Sequence, residues 1–197
     1  MGEVNELIKE LKRYAQKENI PIMLDEGINY LTSFIVKHDI NSVLEIGTAI
    51  GYSAIMMALV NPKLKIITIE RDETRYLEAV KNIKKFNLEE RVIPMFNDAL
   101  DLRLDDKFDL IFIDAAKGQN IKIFENFAKN INDDGYIITD NMNFHGYLDI
   151  PEEEIANKNL RSLVSKIKAY HEFLNNHEEF ETEFLDVGDG LSISTKK

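Results

Sequence analysis

The chain has 197 residues, 44% of them hydrophobic, a net charge of −11 and no cysteine. That length suits one α/β domain with a full core, and the missing thiols exclude disulfides, thiolate catalysis and cysteine-held zinc or iron–sulfur groups, as fits a reducing, cytoplasmic setting. The acidic balance makes the chain as a whole repel nucleic acid, so such a partner would have to meet a local basic patch.

In chain order, "MGEVNELIKELKRYAQ" is a charged amphipathic pattern and not a signal peptide. Helical spacing runs from Glu3 to Glu18, with Leu7, Leu11, Tyr14 and Ala15 on one face. A second helix is expected through "LDEGINYLTSFIVKH". Then "SVLEIG" reads as a buried strand, "GYSAIMMALV" as a helix and "KIITIE" as a strand. "DETRYLEAVKNIKKFN" is an amphipathic helix opened by an acidic cap. "RVIPMF" and "FDLIFID" are strands, "QNIKIFENFAKNI" a helix and "GYIITD" a strand. A helix from Leu160 to Asn175 should turn Leu163, Val164, Ile167, Phe173 and Leu174 inward. "FETEFLDV" and "LSISTK" flank "GDG", a hairpin turn signal. No apolar run is long enough to span a bilayer, so no membrane partner is expected. Strands alternating with helices predict a Rossmann-like α/β fold: a seven-stranded, mostly parallel sheet, helices on both faces and a C-terminal antiparallel hairpin. The whole of 1–197 is read as one domain, with N-terminal helices over about 1–40 packed outside the sheet.

Ligands of such sheets bind at the C-terminal ends of the strands. There, "LEIGTAIGYSA" sets Gly47 and Gly51 between a strand and a helix, where glycine permits a tight turn and close approach of a ligand to the backbone. Glu70 ends the next strand, where an acid can accept from ribose hydroxyls. Asp98, after the third strand, could accept from an adenine amino group or simply cap a helix. The GxxxG spacing is neither the GxGxxG of dinucleotide binders nor a phosphate loop.

Two further apolar runs stop on acids, at Asp114 in "FIDAAKGQ" and at Asp140, with Asn141, in "IITDN". Two carboxylates and an amide carbonyl at strand ends are hard oxygen ligands suited to Mg²⁺. Lys117, three positions after Asp114, could be a general base if desolvated beside a cation, or a surface lysine at a helix start.

Together, "VLEIGTAIGYSA", "ITIER", "NDAL", "FIDAAKGQ" and "IITDN" resemble the metal-dependent class I O-methyltransferases, the catechol and caffeoyl-coenzyme A group. The likeness is closer still to the bacterial branch that methylates 5-hydroxyuridine at the tRNA wobble position, through "PIM", "EIGTAIGYSAI", "FIDAAKGQ" and "VGDGL". The resemblance implies S-adenosylmethionine contacts at Met23, Ser53, Glu70, Asp98, Ala99 and Asp114, besides the Gly47 turn. It implies Mg²⁺ ligands at Asp114, Asp140 and Asn141, the base at Lys117, and a homodimer. "NDAL" departs from relatives that have Gly before the Asp.

In 5-hydroxyuridine the C5 hydroxyl and C4 carbonyl are vicinal oxygens, able to chelate Mg²⁺ as a catechol does. The site residues alone therefore fit a tRNA anticodon loop and a small phenol equally. Candidates for RNA affinity are Arg71, Arg75, Lys81, Lys84 and Lys85, or Lys158, Arg161, Lys166 and Lys168. Phe144, His145 and Tyr147 are candidates for stacking on a splayed base. A non-catalytic nucleotide-binding module is the reading from a different class, against which Asp114, Lys117, Asp140 and Asn141 count.

Overall fold

The computed structural model describes residues 2–115, 117–143, 146, 148 and 150–197, Lys117 and Glu152 by their backbone alone. Its seven strands form one sheet in the order β3-β2-β1-β4-β5-β7-β6, mostly parallel, as the alternation of periods predicts. By internal packing the chain divides into two units, Met1–Leu102 and Arg103–Lys197.

The first unit holds α1 (Gly2–Lys17), α2 (Asp25–Lys37), β1 (Ser42–Ile46), α3 (Tyr52–Val60), β2 (Lys65–Glu70), α4 (Glu73–Lys85) and β3 (Val92–Phe96). β1 and β2 run parallel from Ser42↔Lys65 to Ile46↔Ile69, and β2 and β3 from Ile66↔Val92 to Glu70↔Phe96. Parallel pairing in this register brings the C-terminal ends of three strands together. Helix α3 is apolar on nearly every side, and such a helix has to be covered. Tyr52, Ala54, Ile55, Met57 and Ala58 are all but inaccessible. The Arg91 guanidinium satisfies the end of this helix, donating to the carbonyls of Ala58 at 2.9 Å and Asn61 at 3.0 Å. Asp72 caps α4, accepting from the Arg75 amide at 2.9 Å. Of the expected inner face of α1, Leu11 and Ala15 are buried, Leu7 is half-buried and Tyr14 is exposed.

The second unit holds β4 (Phe108–Ile113), α5 (Asn120–Phe127), β5 (Ile131–Asp140), α6 (Lys158–Asn175), β6 (Phe180–Leu185) and β7 (Leu191–Lys196). β4 and β5 are parallel, while β7 runs antiparallel to both β5 and β6, giving the expected closing hairpin. Two boundaries differ from the sequence reading. β5 begins at Ile131, four residues before Gly135, because "NDD" is strand and not turn. Two of its polar side chains find partners across the sheet: Asn132 donates to Asp109 at 2.8 Å, and Asp133 accepts from Lys196 at 2.8 Å. Helix α6 begins at Lys158, since Asn157 caps it by accepting from the amides of Asn159 and Leu160. On its inner face Tyr170 joins Val164, Ile167 and Leu174, whereas Leu163 and Phe173 are half-buried. Phe173 and Phe180 both meet the Phe124 ring edge-on, at 5.5 and 5.2 Å. The Tyr170 hydroxyl bonds that of Thr139 at 2.9 Å, and burial pushes this phenol well above its ordinary range.

Candidate active site

In the first unit the site is built around one carboxylate. Glu70, 8% exposed, ends β2 and receives three backbone amides: Ala49 at 2.8 Å on Oε2, Arg71 at 3.0 Å and Asp72 at 2.9 Å on Oε1. The Ala49 contact fixes the turn between β1 and α3, where Ala49 itself takes the left-handed backbone at φ 45°. Gly47 and Gly51 stand on either side of it at φ 107° and 85°, a region that only glycine occupies without strain. Glu70 thus organises the loop as well as offering an acceptor, since a carboxylate has about four lone-pair directions.

Next to Glu70, Arg71 lies 3.7 Å from the Asp98 carboxylate. Asp98 also accepts from the Leu100 amide at 2.9 Å, so it makes a local turn. Ala99 is buried beside it. Met23, 6% exposed, packs against the Gly27 position as the chain enters α2. Ser53 lies in the first turn of α3, with its hydroxyl donating to Glu45 Oε1 at 2.5 Å.

The Glu45 contact belongs to a network that the sequence reading missed. Glu45 is fully buried in β1. Its other oxygen accepts from Thr68 at 2.5 Å, and the Thr68 hydroxyl pairs with that of Thr48 at 2.5 Å. A buried carboxylate held by hydroxyl donors orients the Ser53 hydroxyl, whose oxygen keeps acceptor capacity. On the first turn of the same helix, burial raises the Tyr52 phenol above its ordinary value, and the neighbouring Lys12 ammonium opposes this.

In the second unit the two strand-ending acids meet at an amide. Asn141 Nδ2 donates to Asp140 Oδ2 at 3.0 Å and to Asp114 Oδ1 at 3.3 Å. Asp140 is only 4% exposed. Carboxylates this close repel one another and call for a bridging positive group. The amide hydrogens, with their partial positive charge, contribute to this here. With its carbonyl turned inward, Asn141 would make the set three hard oxygens, which fits a small divalent cation. Among the described residues no three His, Cys, Asp or Glu side chains gather as a metal site, and the set here is two acids with an amide. Lys117 opens a 3-10 turn, Lys117–Gln119, three residues after Asp114. Its side chain, and the loop residues Phe144, His145 and Tyr147, lie outside the described set.

The basic residues are largely engaged with their own chain. Lys81 pairs with Glu78 at 3.0 Å and Lys85 with Glu10 at 2.5 Å. On α6, Arg161 donates to the Ile155 carbonyl at 2.7 and 3.0 Å, and Lys168 to that of Ile150 at 3.2 Å. Those two hold the segment before α6 in place. Lys166 is exposed, with its amine over Gly118 in the turn that Lys117 opens.

An open α/β sheet with a glycine-bounded turn after β1 and an acid closing β2 defines a nucleotide-type cofactor binder. The chain belongs to the O-methyltransferase family, whose model matches residues 2–197. It is an S-adenosylmethionine-dependent O-methyltransferase of the caffeoyl-CoA type. A Staphylococcus aureus structure provisionally described as a caffeoyl-CoA O-methyltransferase is 34% identical, with a TM-score of 0.91 over 96% of this chain and 92% of that one. A Bacillus cereus O-methyltransferase solved with S-adenosylhomocysteine is 25% identical, with a TM-score of 0.82 over 98% and 91% of the two chains. The caffeoyl-CoA O-methyltransferase of Stellaria longipes is 28% identical over 96% of this chain and 83% of its own.

Proposed function

We propose that the enzyme methylates one oxygen of a vicinal oxygen pair with the help of Mg²⁺, and that this pair belongs to 5-hydroxyuridine at the wobble position of tRNA, the product being 5-methoxyuridine. The observation that carries the metal-dependent reading is the meeting of Asp114, Asp140 and Asn141 at 3.0 and 3.3 Å. The cofactor supplies an electrophilic methyl on a good leaving group, and the cation supplies charge that acidifies and orients a chelating hydroxyl. The chain's own part is mostly positioning. The Gly47–Gly51 turn offers backbone for close approach. Glu70 accepts from ribose hydroxyls and Asp98 from an adenine amino group, with Met23, Ser53 and Ala99 completing the contacts that the resemblance assigns. Asp114 is assigned to both cofactor and cation. Lys117 takes the substrate proton at Nζ. The cytoplasmic setting, the single-domain organisation and the homodimer belong to the same proposal.

What supports tRNA is the run of motifs "PIM", "EIGTAIGYSAI" and "VGDGL". A second reading, a small catechol-like phenol, is favoured by the plant relatives named for caffeoyl-CoA and by the engagement of Arg161 and Lys168 with their own loop. The deciding experiment is mass spectrometry of tRNA nucleosides from cells lacking the gene. Accumulated 5-hydroxyuridine with 5-methoxyuridine absent is expected, and an unchanged profile with turnover of a free catechol by the pure enzyme would establish the phenol reading instead.

Glu70→Ala is expected to weaken S-adenosylmethionine binding by about 1.5–3 kcal/mol for each charge-assisted hydrogen bond lost. It should also loosen Ala49, whose amide donates to the Glu70 carboxylate at 2.8 Å. Unchanged affinity in calorimetry would remove Glu70 from the cofactor site.

A further inference from the structure

The backbone of Asn141 is left-handed, with φ 64°. Asparagine enters this region more readily than other non-glycine residues, and the contacts around it decide whether it is held there. The surroundings here are specific. The amides of Met142 and Asn143 donate to the carbonyls of Gly190 and Asp189, both at 2.9 Å. The Met142 carbonyl accepts from His171 Nε2 at 2.9 Å, which places the ring proton on that nitrogen. Asn143 Nδ2 donates to Asp186 Oδ1 at 2.7 Å. The Met142 side chain is 1% exposed, and the His171 ring stacks on Phe184 at 4.4 Å and 13°. Both acceptor carbonyls come from the turn between β6 and β7, and Asp140 itself is paired to Leu191 at the start of β7. Gly190, at φ 84°, has no room for a side chain: a Cβ would lie 2.4 Å from the Asn143 nitrogen.

We infer that His171, Asn143 and Asp186 are positioning residues for the cation site, holding the strap after Asn141 against the hairpin so that the Asn141 amide faces Asp114 and Asp140. His171 acts through the Met142 carbonyl, and Asp186 through the Asn143 side chain. The inference rests on the metal-dependent reading above. Partners that orient ligands are worth about 10–100-fold in metal affinity. "GDG" thereby gains a second role beyond a hairpin signal, since its last glycine is the surface on which the strap lies.

The test measures Mn²⁺ binding by electron paramagnetic resonance, with S-adenosylmethionine binding and thermal unfolding followed in parallel. His171→Leu keeps an apolar body against Phe184 and loses the donor; His171→Gln keeps an N–H at a similar reach. His171→Leu and Asn143→Ala are each expected to weaken Mn²⁺ about tenfold or more and leave cofactor affinity within twofold, while His171→Gln is expected to keep near wild-type Mn²⁺ affinity. Asp140→Ala serves as the control that abolishes Mn²⁺ binding. Wild-type Mn²⁺ affinity in His171→Leu and Asn143→Ala, with Asp140→Ala still inactive in binding, would overturn the positioning role while leaving the metal site standing. Parallel loss of cofactor affinity and melting temperature, with no recovery in His171→Gln, would overturn it as mere structural damage. Wild-type enzyme that binds no Mn²⁺ would overturn both this inference and the reading on which it rests.

Discussion

Asp140→Ala is expected to lower turnover by about 10³-fold or more while the protein keeps its fold. Cation stabilisation of developing charge is worth several kcal/mol, and about 4 kcal/mol corresponds to that factor. The substitution removes the most buried oxygen donor of the set, and it leaves Asn141 hydrogen-bonded to Asp114 alone at 3.3 Å. Folding is not expected to suffer. The two carboxylates repel each other, and taking one away removes that repulsion from the metal-free protein. EDTA should abolish wild-type turnover and Mg²⁺ or Mn²⁺ should restore it. Full activity of the chelated enzyme would remove the cation from the reaction, and a collapsed far-ultraviolet spectrum in Asp140→Ala would mean that its loss of turnover reports unfolding.

Lys117→Ala is expected to cost about 10²–10⁴-fold in turnover, the usual worth of a general base, with cofactor and Mn²⁺ affinities nearly intact. Lys117→Arg should not recover it, because a guanidinium stays protonated through the working pH range. Raising the pH should recover part of the Ala variant's rate, since the substrate hydroxyl then ionises without help, whereas wild type should gain little once its amine is neutral. The measurement is single-turnover methylation of tRNA carrying 5-hydroxyuridine across pH. An Arg variant equal to wild type at every pH would make Lys117 an electrostatic or orienting group and not a base.

Much of this architecture could be read from the sequence, and the physical reason differs between elements. The buried strands β1, β2 and β4 announce themselves because a strand covered on both faces is a short continuous apolar run. Asp114 and Asp140 stand out because each interrupts such a run at its end. Glu45 does not stand out, although it is the most buried acid in the first unit. Its place inside "VLEIG" looks like strand, and the donors that make its burial tolerable, Ser53 and Thr68, lie 8 and 23 residues away. The strap is hidden for the same reason: His171 and Met142 are 29 residues apart, Asn143 and Asp186 are 43. The start of β5 is hidden because Asn132, Asp133 and Asp134 carry turn composition, while the partners of Asn132 and Asp133 lie on neighbouring strands far along the chain. The turn glycines Gly47 and Gly51 were legible, but the left-handed Ala49 between them was not, since alanine gives no local sign of that conformation.

The outermost strands of the sheet, β3 and β6, bear on how the protein behaves at high concentration. An outer strand offers unpaired peptide groups, and a second chain can add to it and begin a fibril. β3 carries Pro94 at its middle, which lacks a donor and sets a ring in the path of an incoming strand. β6 carries Glu181 and Glu183 two residues apart on one face, so a copy laid alongside in register would bring like charges together. Growth of the sheet from molecule to molecule is therefore opposed at both margins, by sterics at one and by charge at the other. Self-association of the folded enzyme is left to its helices and loops, and the charge barrier at β6 weakens as salt rises while the proline barrier at β3 does not.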